Sequence, residues 1–132
     1  MRYAALVVGI VLLLIGSLAA FPSLTPDGRF LGIFLVDPLH NLLHLLTGFV
    51  ALIAGAGSRF GARMSLRVLG IFFFILAVIG FYTQGALLLG VIAHNRADAW
   101  LHLGIGLFSL FFGFVWGGSR VRDLSLEKRR AV

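Results

Sequence analysis

Four histidines carry most of the chemistry this sequence could perform: His40, His44, His94 and His102. His40 and His44 are four residues apart, and so are Asp98 and His102. On a helix that spacing places both members of a pair on one face. If the two faces meet, His40, His44, Asp98 and His102 form a polar cluster, with Asn41, Thr47, His94 and Asn95 beside it. The plainest role for such a cluster is helix glue, because inter-helical hydrogen bonds inside a membrane contribute about 0.6–2 kcal/mol each. A second role is a metal site, since three imidazoles and a carboxylate are sensible ligands for zinc, copper, nickel or iron. A third is haem or chlorophyll with His44 and His102 as axial ligands, each followed four residues later by a glycine, Gly48 or Gly106, that leaves room for a flat ring. A fourth is proton relay or pH sensing at the outer face, because histidine titrates near neutrality.

The elements that must position these residues occur twice. The segment Asp37-Pro38-Leu39-His40-Asn41-Leu42-Leu43-His44 aligns without a gap on Asn95-Arg96-Ala97-Asp98-Ala99-Trp100-Leu101-His102 after a shift of 58 positions. From 31 to 55, eight of 25 positions are identical, with a histidine and glycines among them. This is the signature of an internal duplication. Asp37 and Asn95 begin the two copies as helix caps, and proline suits the first helical position after Asp37.

Composition sets the class. The chain has 132 residues, 60 % of them hydrophobic and 12 % charged, with a mean hydropathy of +1.04. A soluble domain of this length cannot bury that much apolar surface, so the chain reads as an integral membrane protein. The absence of cysteine excludes disulfides, thiolate metal sites and cysteine nucleophiles. The net charge of +6 comes from basic residues flanking apolar runs, which points to lipid headgroups and topology rather than to nucleic acid. The sequence contains neither a Gly-x-Ser-x-Gly nucleophile turn nor a glycine-rich phosphate loop, so no enzymatic activity is expected.

Four spans are predicted, at 3–21, 37–57, 66–82 and 95–118, each near the ~20 residues that cross the hydrocarbon. The first resembles a secretory signal, but it has a counterpart later in the chain (Gly9 with Gly70, Phe21 with Phe81), so we read it as a retained span. Segment 58–66 is read as an arginine-bearing loop, and 30–36 and 86–93 as apolar connectors too short to cross. Nine basic residues fall on one side, in Arg2, the loop and the tail, against Arg29 and Arg96 on the other. Both termini therefore belong on the cytoplasmic side of the membrane. The expected fold is all-α, an integral membrane four-helix bundle of two parallel two-span repeats. Its membrane domain occupies 1–118 (repeats at about 1–57 and 64–118), and 119–132 forms a basic tail suited to anionic lipid. Gly9 and Gly16, Gly48 and Gly55, and Gly106 and Gly113 are each seven apart, marking close helix packing.

The twice-repeated pattern resembles a bacterial membrane family, domain of unknown function 4383. The resemblance is carried by Val36 to Gly48 and Asn95 to Leu103, and extends from the first span through Trp116. It implies a small four-span protein, without an activity, substrate or cofactor. This chain has Ala99 where the resemblance leads one to expect Asn. The functional expectation is a structural or accessory subunit of a larger membrane assembly or homo-oligomer. The alternative is a metal-, haem- or chlorophyll-binding membrane protein using the outer histidines.

Overall fold

The computed structural model describes residues 1–83 and 87–116. The predicted tail at 119–132 and the span end at 117–118 lie outside the described residues. Among them are four helices: α1 (Arg2–Leu18), α2 (Pro38–Gly57), α3 (Arg59–Thr83) and α4 (Arg96–Leu110). A π-helical turn, Phe111–Val115, continues α4. Strands β1 (Arg29–Phe30) and β2 (Phe34–Leu35) form a small antiparallel hairpin between α1 and α2.

The helices α2, α3 and α4 with its π-turn are each long and apolar enough to cross a membrane. Helix α1 has 17 residues, about 26 Å at 1.5 Å per residue, a little short of the hydrocarbon thickness. It ends before the predicted boundary at 21. Phe21 is already extended, as a residue before proline is pushed to be. The predicted loop at 58–66 is also corrected: Ser58 alone separates α2 from α3. Its hydroxyl accepts the Gly61 N–H at 2.9 Å, an N-terminal cap, and the arginines Arg59, Arg63 and Arg67 lie in the opening turns of α3. Arginine is a good helix former and its long stem reaches water from a helix end, so the charge does not break the helix.

Packing is pairwise, α1 on α2 and α3 on α4, with α2 against α3 at the centre. Glycines set the closeness of both pairs. A Cβ built on Gly9 would lie 2.8 Å from the Leu52 backbone N, and one on Gly70 would lie 2.8 Å from the Leu110 backbone N. A Cβ on Gly48 would meet the Leu13 backbone N at 2.9 Å, and one on Gly106 the Phe74 backbone N at 2.8 Å. Gly55 approaches Leu6 in the same way, and Gly113 approaches Arg67. Backbones this close gain dispersion contacts that lipid cannot supply. The main core between the pairs holds Leu12, Leu66, Phe73 and Leu76 with small residues Ala5, Ala51 and Ala62. Large apolar side chains such as Phe49, Ile53, Ile71, Ile75 and Leu107 face outward.

The two connectors share one turn. Leu31 and Gly32 both have positive φ, and Ile33 N–H donates to the Phe30 carbonyl at 3.1 Å. Leu89 and Gly90 also have positive φ, and Val91 N–H donates to the Leu88 carbonyl at 3.2 Å. Positive φ at both central positions is the pattern of a I′ hairpin turn, which glycine enters without steric cost. The coincidence of Leu-Gly in the aligned sequences thus falls on two equivalent turns.

Candidate functional site

Helix starts position the polar residues. Asp37 caps α2, its Oδ1 accepting the His40 N–H at 2.7 Å. Asn95 caps α4 with a reciprocal box: Asp98 N–H donates to Asn95 Oδ1 at 3.0 Å, and Asn95 N–H donates to Asp98 Oδ2 at 2.9 Å. Each carboxylate also reaches across to the other connector. Ala93 N–H donates to Asp37 Oδ2 at 2.5 Å, and Leu35 N–H donates to Asp98 Oδ2 at 3.2 Å. Leu35 and Ala93 are themselves 58 positions apart, the same shift that relates His44 to His102. Asn95 Nδ2 adds a bond to the Ile33 carbonyl at 2.7 Å. The two connectors are therefore latched to the opposite helix starts.

His40 sits beneath this latch. Its Nδ1 is 2.9 Å from the Ala93 carbonyl and 3.2 Å from the Leu35 carbonyl. Carbonyl oxygens only accept, so Nδ1 carries the proton, and in the neutral ring Nε2 keeps a free lone pair. That Nε2 is buried without a hydrogen-bond partner. Four residues on, His44 packs against it, with ring centroids 4.7 Å apart. His102 comes from α4, its Nε2 3.4 Å from His44 Nε2. One potential donor atom from each of His40, His44 and His102 lies within 4.8 Å of the others. All three side chains are buried. Phe73 of α3 closes the deep side, its ring 5.4 Å from that of His102 and 6.2 Å from that of His44.

The remaining predicted members fall elsewhere. Asp98 is buried, but one oxygen serves the cap and latch, and its donor atoms lie outside the three-histidine group. Thr47 turns its hydroxyl back on its own helix, donating to the Leu43 carbonyl at 2.6 Å. Asn41 is buried with its Oδ1 unpartnered. Gly48 and Gly106 leave no room for a macrocycle, because the backbones of α1 and α3 occupy the space their side chains lack.

His94 lies on the second connector, one residue before the α4 cap. It is 1 % exposed, and neither ring nitrogen has a partner. Its ring runs nearly parallel to that of His102, at 20°, with centroids 5.8 Å apart. Burial pushes its pKa below the ordinary 6.5, His40 nearby acts in the same direction, and the Gly80 backbone opposes them. Gly80 gives the ring its seat, for a Cβ there would collide with the His94 imidazole. Sequence periodicity could not signal this, because His94 stands outside both helices.

Within the four rings, His40 Nε2, His44 Nδ1, both nitrogens of His94 and His102 Nδ1 are buried without partners. Buried polar atoms are normally paired, and each one left bare costs about 1–3 kcal/mol. A cation bound between the Nε2 atoms would use the bare lone pair of His40, while Nδ1 of His44 and of His102 would still carry unpartnered protons. Two nitrogens bound at ~2.05 Å to a tetrahedral ion stand ~3.3 Å apart, close to the 3.4 Å between His44 and His102. The chain belongs to the family described as domain of unknown function (DUF4383), which matches residues 2–115. Neither a curated protein nor a solved structure matches it.

Proposed function

We propose, with that family membership as the premise, that this is a four-span protein of the bacterial inner membrane that holds one transition-metal ion on His40, His44 and His102. It works without enzymatic activity, as an accessory subunit of a membrane assembly. One observation carries the metal reading: three buried imidazoles from two helices offer donor atoms within 4.8 Å of one another. The His40 anchor strengthens it, since metal-binding histidines characteristically donate their other ring N–H to a carbonyl or carboxylate. The ligand set is all imidazole, which suits zinc, copper, nickel or iron over calcium or magnesium. The four-span, two-half architecture is supported by the glycine approaches and the Leu-Gly turns that recur in the two halves. The distribution of basic residues supports an outer location for the α2 and α4 starts.

A second reading has its own observation. At 3.4 Å, His44 Nε2 and His102 Nε2 also form a direct hydrogen bond between helices, which would make the cluster glue. Elemental analysis and an absorption spectrum of protein purified gently from native membrane separate the two. About one ion per chain, lost in a His44→Ala, His102→Ala double variant, is the expected result. A metal-free native protein with a variant that is only less stable refutes the metal reading in favour of glue.

A further inference from the structure

We infer that His94 is the fourth ligand of the site, a connector histidine that closes the ion off from the outer face; this rests on the three-histidine reading above. Three imidazoles leave a tetrahedral ion one position short. His94 is an adjacent side chain with unpartnered ring nitrogens: it is 1 % exposed and its ring faces that of His102 across 5.8 Å, but its nitrogens lie outside the three-histidine group, so the ring must turn to bind. A neutral imidazole has one lone pair to give.

The surroundings suit a ligand that arrives last. His40, His44 and His102 stand on helices held by glycine crossings, whereas His94 stands on a connector. The preceding residue is held at both backbone groups, Ala93 N–H by Asp37 and the Ala93 carbonyl by His40 Nδ1. The backbone is thus anchored beside the site, and the contact the His94 ring would give up on turning is the one with the Gly80 backbone. Its seat against Gly80 contains only the missing side chain of a glycine. Asp98 is the competing donor, with Oδ1 unpartnered. Its other oxygen, however, accepts from both Asn95 and Leu35, and moving it would open the cap and the latch together.

The test uses full-length protein loaded with Zn(II) or Co(II), read by X-ray absorption and by competition with a chelator of known affinity. The intact protein should show four nitrogen ligands. His94→Gln should keep one ion per chain, show three nitrogens, and bind at least about tenfold more weakly. Gly80→Ala fills the resting seat and should retain four-nitrogen coordination, because the bound ring has left that seat. A His94→Gln protein with unchanged coordination and affinity overturns the inference, as does a three-nitrogen, one-carboxylate set in the intact protein. Loss of the fourth nitrogen in Gly80→Ala also overturns it, since His94 would then act only as a plug. An intact protein that takes up neither ion fails at the three-histidine site itself, a result distinct from all of these.

Discussion

Replacing Gly48 by alanine tests whether the glycine approaches hold the helix pairs together. The new methyl would lie 2.9 Å from the backbone N and Cγ of Leu13 and 3.0 Å from the Gly9 carbonyl oxygen. Ordinary contacts are ~3.5–4.0 Å, so α1 must withdraw by about half an ångström. Two of those three neighbours are backbone atoms, which cannot rotate away. Overpacking of this kind costs about 1–3 kcal/mol. Alanine also gains up to ~1 kcal/mol over glycine in a helix, so the clean reference is another Gly→Ala change that meets nothing. Gly104, exposed on α4 with no atom within 4 Å of its built Cβ, provides it. The propensity gain then cancels, and Gly48→Ala should unfold more readily than Gly104→Ala by ~1–3 kcal/mol, roughly 5- to 150-fold in the equilibrium constant. Reversible unfolding in mixed micelles, followed by the fluorescence of Trp100 and Trp116, measures the difference. Gly106→Ala, facing the Phe74 backbone N at 2.8 Å, should behave like Gly48→Ala. Coincident transitions for Gly48→Ala and Gly104→Ala would refute the argument.

Two further outcomes follow from the site and the topology. The His94 pKa is held below 6.5, chiefly by burial, so as pH falls through that value the unfolded chain takes up this proton more readily than the folded chain. Stability from this group is present above pH 6.5 and is lost as pH falls, with a slope of up to ~1.4 kcal/mol per pH unit. Metal-free His94→Phe should show a flatter stability curve between about pH 7.5 and pH 5 than the unsubstituted protein, and parallel curves contradict the assignment. For topology, the chain contains no native cysteine, so single cysteines report cleanly. Ile33→Cys and Val91→Cys, on the exposed connector turns, should react with an impermeant maleimide from outside. Phe60→Cys, exposed at the start of α3, should react only after permeabilisation, and the reverse pattern inverts the orientation.

The parts of this fold that were legible in the sequence are those set by local chemistry. Asp37 and Asn95 could be read as caps because short acceptors before an apolar run have one common use, and both side chains accept the third helical N–H. The glycines seven apart could be read as packing faces, and those approaches occur. What failed to show was set by distant partners. Asp98 shares a helix face with His102, yet its carboxylate turns to Asn95 N–H and to Leu35 N–H, 63 positions away. No spacing rule reveals a demand from another connector. The helical start at Arg59 was hidden because charge beside an apolar run was read as a loop, although one serine suffices to cap the helix there. His94 could be placed beside the cluster from the sequence, but not its seat, which depends on Gly80, in sequence one more small residue in a span.

The two-half reading also separates what holds the fold from what makes the site. The 58-position shift pairs Gly48 with Gly106, Leu31-Gly32 with Leu89-Gly90, and His44 with His102. Shared positions thus supply the crossings, the turns and two imidazoles facing each other at 3.4 Å. Two imidazoles alone make a hydrogen bond but half a tetrahedral site. In the proposed metal site the rest would come from positions where the halves differ. His40 corresponds to Asp98, and His94 corresponds to Val36. Divergence at the first of these pairs also explains the crossed latch. Each connector N–H needs an acceptor from the opposite half, and it is the cap residue Asp37 in one case and the third helical residue Asp98 in the other. With a carboxylate at the cap of α2, its third helical position is released from that duty. It holds instead an imidazole whose Nδ1 bridges the carbonyls of Leu35 and Ala93, leaving Nε2 free for the pair beneath.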